Sequence, residues 1–377
     1  MFKNKRTTSL LLALLVVALV ALTGCGGGTN APAAAPDTGS APDAAAPAET
    51  PQAPAAPAED VDFGDPVALT LGHPYPTSDY RAVAMDFFAA QASELSGGNI
   101  TVTTFPSQGL TTSQDAMKSV GSGVADMASG AFSFNVSEVP ALAPLDIQGI
   151  YDPDYFWETY EIIKPTLDEI LATQNQMALI MFDESDSVFY LGKGNAKEVH
   201  SPADIKGLRL RDHGMWIGKS ITAWGAAPMT IMPADLNVAL DRGTVDGGYT
   251  GWGFANSYRV FESAPYITFT KIAKSTWAPV TINLDRWNSL SKPQQDVILE
   301  AAAAAEAKAN ELLDADLARF TADVEAAGGS IYHMTPEENQ VFVDATKPLI
   351  EEARAASGDL GNKLIDAFLT APSNYRD

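Results

Sequence analysis

GLRLRDHGMWIGKSITAWGAAPMTIMPADLNVALDRGTVDGGYTGW, Gly207 to Trp252, decides the fold. Leu208-Arg209-Leu210-Arg211 alternates in character, as the two faces of a strand require. A helical segment follows and stops at Gly225, a natural C-terminal cap. Pro228 to Ile231 reads as a second strand and leads into a helix opened by Pro233. That helix ends near Arg242-Gly243, and a third strand runs through Val245 into Asp246-Gly247-Gly248. Strands and helices alternating over short connections are the grammar of a parallel α/β sheet. Ligands of such sheets bind beyond the carboxyl ends of the strands. Arg211 and the loop Tyr249 to Trp252 sit at two such ends.

Upstream, the same grammar repeats. Val67 to Gly72 alternates as a strand, and a helix is expected from Ser78, as N-cap, to Leu95. Asn99 to Phe105 alternates again, Ser113 to Val120 reads as a helix ending at Gly121, and Ala125 to Ser129 is a third strand. Residues 190–206 hold a crossing strand and the turn before Arg211. Downstream, Lys292 to Ala326 is helical in pattern and spans about 50 Å at 1.5 Å per residue. The tail reads as a helix from Pro336 to Ala356, kinked at Pro348, and another from Leu360 to Leu369.

The motifs resemble those of the solute-binding subunits of tripartite ATP-independent periplasmic (TRAP) transporters, the DctP type. Three stretches carry the likeness in order: Gly207-Leu208-Arg209-Leu210-Arg211, Gly225-Ala226-Ala227-Pro228-Met229, and Ala239-Leu240-Asp241-Arg242-Gly243-Thr244-Val245-Asp246-Gly247. Leu71-Gly72-His73, Ser96-Gly97-Gly98, Gly123-Val124-Ala125-Asp126-Met127, Ile282-Asn283-Leu284 and Trp287 extend it from about residue 66 to the C-terminus. The resemblance implies a two-lobed α/β periplasmic-binding-protein-like fold with a hinge and one long helix bridging both lobes. It also implies capture of an organic acid without any cofactor, and partners in the membrane subunits of the transporter. A lipid-anchored receptor presenting the same acid to a signalling partner is the alternative, and a secreted enzyme a third.

Lys3, Lys5 and Arg6 precede the apolar run Leu10 to Leu22, too short for a comfortable membrane span. Leu22-Thr23-Gly24-Cys25 looks like a bacterial lipobox, with Cys25 the lipidated residue. Losing residues 1–24 removes three positive charges and no acids, taking the formal charge from -23 to -26. Cys25 is the only cysteine, so no disulfide forms within the chain. Residues 26–60 are Gly, Ala, Pro, Thr, Ser and acids with almost no exception, a composition expected to form an extended tether. The organisation expected is therefore a signal peptide (1–25), a tether (26–65), lobe I (66–189 and 277–317) and lobe II (190–276 and 318–377). The acidic balance argues against nucleic-acid binding, which needs clustered Lys and Arg. A monomer, touching the membrane only through its anchor, is expected.

Arg211 is the main candidate for ligand contact, because the resemblance assigns its position to the arginine that forks a carboxylate. A planar guanidinium matches two carboxylate oxygens at once. Arg209 lies one strand repeat earlier and reads as structural or solvated. Many family members carry a second arginine where this chain has Leu191-Gly192-Lys193-Gly194, so Lys193 is a candidate supporting charge, or otherwise a loop lysine. Phe132, Phe134, Trp216, Tyr249 and Trp252 follow predicted strands and could form aromatic walls, with core packing as the alternative for each. The resemblance suggests a polar contact near Thr250, and His73 and Tyr75 end the first strand. One clamp arginine among aromatics suggests a monocarboxylate with an apolar or aromatic body.

Several patterns fail on inspection. Gly214 to Ser220 is one residue short of a P-loop, and Gly248 to Gly253 is not a dinucleotide fingerprint. His73, His200, His213 and His333 make no metal-ligand spacing, and no nucleophile elbow is present. No metal site is expected.

Overall fold

The computed structural model describes residues 61–375. The expected signal peptide, Cys25 and nearly all of the tether lie outside them. Two sheets organise the chain. Strands β1 (Val67–Gly72), β2 (Ile100–Phe105), β3 (Met127–Ser129) and β4 (Gln176–Ile180) come first. Next come β5 (Asp186–Leu191), β6 (Arg209–Asp212), β7 (Ala227–Thr230), β8 (Gly247–Gly251) and β9 (Tyr266–Lys274). The chain then gives β10 (Val280–Asn283) to the first sheet and β11 (Ser330–His333) to the second.

The first sheet has the order β2-β1-β3-β10-β4, and the second β11-β9-β5-β8-β6-β7. Within the first, β1 pairs parallel with β2 and β3, whereas β10 runs antiparallel to β3 and β4. Within the second, β6 pairs parallel with β7 and β8, whereas β5 runs antiparallel to β8 and β9. The same small device is used twice. Asp126, just before β3, accepts from the Thr70 N–H and Oγ1 of β1, each at 2.8 Å. Asp246, just before β8, accepts from the Arg209 N–H of β6 at 2.8 Å and pairs with that side chain. Each aspartate thus ties the entry of one parallel strand to its neighbour.

The helix Lys292–Ala326 joins the two lobes. Its first half, Val297, Ile298, Ala301, Ala302, Ala305 and Ala309, packs in a core with Phe88 and Leu71 of the first lobe. Phe320 and Val324, near its end, pack with Trp252 and Phe261 of the second. The run of alanines lets the helix Tyr80–Leu95 lie close against it, since small side chains keep helix axes near. Ser291 and Gln294 form a capping box at its start, satisfying N–H groups that have no partner within the helix.

The structure departs from the sequence reading in several places. Asp79, not Ser78, caps the helix that begins at Tyr80, because its carboxylate accepts the Arg81 N–H at 2.9 Å. β5 belongs to the second sheet from Asp186, before the expected lobe boundary at 190. Pro348 separates two helices, Pro336–Thr346 and Pro348–Ala356, where a single kinked one was expected. The last helices also do not stay with the second lobe. Leu349, Ala353, Leu364, Ile365 and Phe368 pack on Ile163 and Leu167 of the helix Phe156–Ala172, whose apolar side would otherwise face water.

Candidate functional site

The carboxyl ends of the parallel strands from both sheets face one cavity of about 240 Å³. From the first lobe it is lined by Pro74 and Tyr75 beyond β1, Gln108 beyond β2, and Ala131 and Phe134 beyond β3. Arg81, Ser113 and Gln114 complete that side. From the second come Arg211 and His213 of β6 and its exit, Met232 to Ala234 beyond β7, and Thr250, Phe254 and Tyr258 at and beyond β8. Ser275 and Thr276, in the crossing from β9 to β10, close the floor. The walls are mainly apolar, with a few convergent polar groups, which is the usual composition of a small-molecule site.

Arg211 is 2 % exposed and forms no ion pair among the described residues. Its Nε donates to the Ile231 carbonyl at 3.1 Å, and its guanidinium carbon lies 4.8 Å from the centre of the Phe254 ring. Nη1 is buried without a hydrogen-bond partner. Burial pulls its pKa down, with Tyr190 and Asp212 pulling the other way. The adjacent Asp212 does not cancel the charge by contact. Its Oδ1 accepts from Thr230 Oγ1 at 2.9 Å and from the Gly214 N–H at 3.2 Å. A desolvated cation without a paired anion costs several kcal/mol unless something supplies the missing charge. His213 adds no second positive charge, because burial, helped by Arg211, pushes its pKa down to about 3 and keeps the ring neutral.

The second arginine in the cavity, Arg81, is in the opposite condition. Its Nε and Nη2 donate to the two Asp79 oxygens at 2.9 and 2.7 Å, and Nη1 donates to Glu184 Oε2 at 2.6 Å. Its face lies 3.9 Å from the Tyr75 ring centre. Burial acts against the Asp79 charge, but Arg81 and the Ser257 hydroxyl, at 2.7 Å, hold its pKa below the usual carboxylate range. Burial pushes Glu184 up to about 7 despite Arg81. The Ser257–Asp79 bond joins the two lobes, as does Gln114 Nε2 to Met232 Sδ at 3.0 Å, and Tyr80 Oη donates to the Asp183 carbonyl of the crossing between them at 3.0 Å.

Among the residues singled out from sequence, Arg211, Thr250, Tyr75 and Phe134 line the cavity, and Phe132, Trp216, Tyr249, Trp252, His73 and Lys193 do not. Tyr249 points to the opposite face of β8 from Thr250 and packs on Phe189 and Trp224, with ring centres 4.7 and 5.0 Å away. Trp252 stacks on Phe320 of the long helix. Phe132 and Trp216 belong to the core under the helix Phe156–Ala172. His73 is buried behind Tyr75 and stacks on it. Lys193 follows the end of β5, which runs antiparallel to β8 and so finishes at the edge of the sheet remote from Thr250. Arg81, Phe254, Tyr258 and Ser275 were not read from sequence. The one signal for Arg81 was its place in the first turn of a helix following the carboxyl end of β1.

The family model described as bacterial extracellular solute-binding protein, family 7, matches residues 71–356. An uncharacterised protein of Sinorhizobium fredii is 26% identical over 297 residues, which cover 77% of this chain and 53% of that protein. The chain therefore spans about half the length of that relative. A TRAP periplasmic solute-binding protein of Roseobacter denitrificans with bound β-D-glucuronate superposes with a TM-score of 0.73 at 23% identity, covering 81% of this chain and 100% of that one. An extracytoplasmic solute receptor of Bordetella pertussis binding pyroglutamic acid gives 0.70 at 20% identity, covering 80% and 99%.

Proposed function

Because the chain belongs to family 7 of the bacterial extracellular solute-binding proteins, we propose that it captures a small organic acid between its lobes for a TRAP transporter. The carboxylate meets Arg211, and the bound form delivers the acid to the membrane subunits. The observation that carries this reading is the buried Arg211 guanidinium, with one nitrogen unpartnered and no acid paired to it. A ligand carboxylate would supply the missing charge and accept from Nη1. Tyr75, Phe134, Phe254 and Tyr258 form apolar walls around that point, which suits an acid with an apolar or ring-bearing body. The cavity lies just below the usual range of roughly 300–1,000 Å³ for ligand pockets, which favours a small acid. Glucuronate and pyroglutamate, bound by the two structural relatives, are ring compounds with one carboxylate each.

Contacts from both lobes make ligand affinity higher in a closed arrangement than in an open one, which is the condition for closure on binding. Attachment through a lipid on Cys25 is part of the proposal and would keep the binding domain near its membrane partners. Cys25→Ser is expected to release the protein from membranes, and its persistence there after salt and carbonate washing would remove the anchor from the reading. The binding reading is tested by a thermal-shift screen over organic acids, aromatic ones included, since a tight ligand raises apparent stability by mass action. A hit is then measured by calorimetry on the wild type and on Arg211→Ala. Undiminished affinity in a folded Arg211→Ala variant would take the carboxylate away from this residue.

A further inference from the structure

Two arginines line the cavity, yet they are not equivalent in charge. Arg81 has Asp79 on one edge and Glu184 on the other, all three buried, and its face is covered by Tyr75. Arg211 has neither an acid nor a full set of acceptors. Counting formal charges with Glu184 ionised, Arg81, Asp79 and Glu184 together carry one negative charge, so this cluster offers an incoming anion no net positive charge. A monoanion entering the site adds one net negative charge, and a dianion adds two.

We propose that Glu184 is a specificity-determining residue that keeps Arg81 from serving as a second anion receptor, so the site accepts acids with one carboxylate and rejects those with two. This deepens the reading of Arg211 as a carboxylate clamp and rests on it. Glu184 is well placed for the role. It lies in the crossing between β4 and β5, it is 1 % exposed, and its Oε2 takes the Nη1 edge of Arg81 that Asp79 leaves free. Its other oxygen has no hydrogen-bond partner among the described residues, so little besides Arg81 offsets the cost of burying its charge. Like-charge juxtaposition penalises the wrong partner, which is enough to separate two acids that share a head group.

The groups around Glu184 are Arg81, Asp79 and Asp183, with Tyr75 and Tyr80 beside Arg81. Asp79 stays ionised, held low by Arg81 and Ser257 against its burial, and Arg81 stays charged. Asp183 is drawn up by burial, but Lys274, at 2.9 Å, opposes the shift. Glu184, pushed up to about 7 by burial, is therefore the group of this cluster that changes charge near neutrality. Lowering the pH from about 8 to about 6 should act on the wild type much as Glu184→Gln does at the higher pH.

The test uses the full chain and matched acids: butyrate against succinate, hexanoate against adipate, and benzoate against terephthalate, measured by calorimetry at about pH 8. The wild type should bind the monoacid of a pair at least tenfold more tightly than the diacid. Glu184→Gln, which retains the volume and a hydrogen bond to Arg81, should narrow that ratio about tenfold or more. Circular dichroism checks that the variant is folded. If it is not, the wild type with benzoate and terephthalate at both pH values decides, because these two probes remain ionised throughout. A diacid bound as tightly as its monoacid by the wild type, or a ratio unmoved by both substitution and pH, overturns the role of Glu184 and leaves the Arg211 clamp standing. No binding of any acid in the panel overturns the carboxylate reading itself, and this inference with it.

Discussion

Arg211 shows how far a single residue can be read from sequence. Its place at the end of a strand in a parallel α/β pattern points to a ligand, and the structure adds that its charge is buried and uncompensated. Replacing it with alanine should weaken acid binding by roughly 2–5 kcal/mol, as expected when a buried charge loses its partner. Arg211→Lys should recover little, since a point charge cannot reproduce the planar fork. Calorimetry on the hit from the acid screen measures both, and an Arg211→Lys affinity equal to wild type would remove the fork from the argument. The aromatics were less legible, for a reason of geometry. Neighbouring residues of a strand point to opposite faces, so Thr250 reaches the cavity while Tyr249 is sealed against Phe189 and Trp224. Sequence alone placed both in one loop and had no means to choose. Arg81 was illegible because its identity as a cavity residue depends on the helix Tyr80–Leu95 packing against a chain segment more than 100 residues away, where Glu184 waits.

At the scale of elements, the alternating strands and helices from Gly207 to Trp252 were readable because each is short, periodic and punctuated by glycine. Gly225 and Gly243 adopt positive φ at helix ends, a conformation that favours glycine. The stretch from about 130 to 175 was not readable. It holds three 3₁₀ segments, and Pro165 sits inside the helix Phe156–Ala172, where proline ordinarily breaks the pattern. The glycines of β8 have a different task, which the sequence hinted at by their number. Gly248 lies opposite Tyr190 of β5, and a Cβ there would come within 2.1 Å of the Tyr190 hydroxyl and 2.3 Å of its ring. Tyr190 is also a polar neighbour of the Arg211 guanidinium and helps hold it charged against burial. Gly248→Ala should therefore cost about 1–3 kcal/mol of stability by overpacking and should lower acid affinity as well. Urea unfolding beside calorimetry checks this. A variant within about 0.5 kcal/mol of wild type would mean that the ring moves aside freely and that β8 does not fix the clamp.

At the scale of the whole molecule, one further buried acid is remote in role from the cavity. Asp146, in the 3₁₀ segment Pro140–Asp146, is 1 % exposed, and its Oδ2 has no hydrogen-bond partner among the described residues. Burial alone pushes its pKa up to about 8. The folded chain therefore retains a proton that the unfolded chain has already released, from the ordinary carboxylate range up to about pH 8. Stability gained from the protonated form is lost as pH rises through that window, at up to about 1.4 kcal/mol per pH unit, and the loss levels off above it. Glu184, raised to about 7, contributes in the same direction over a narrower range. Asp146→Asn keeps the shape without the titration and should flatten the decline in stability between about pH 5 and 8. Glu184 should leave a residual slope. Denaturant unfolding across that range measures both slopes, and parallel curves for variant and wild type would show that Asp146 is ionised in the folded state. The helices Pro348–Ala356 and Gly358–Thr370 pack with residues of the same segment, including Leu142, Ala143 and Leu145. A charge forced onto Asp146 should consequently loosen the C-terminal helices first, and their amides should lose protection from hydrogen exchange at high pH before those of the long helix do.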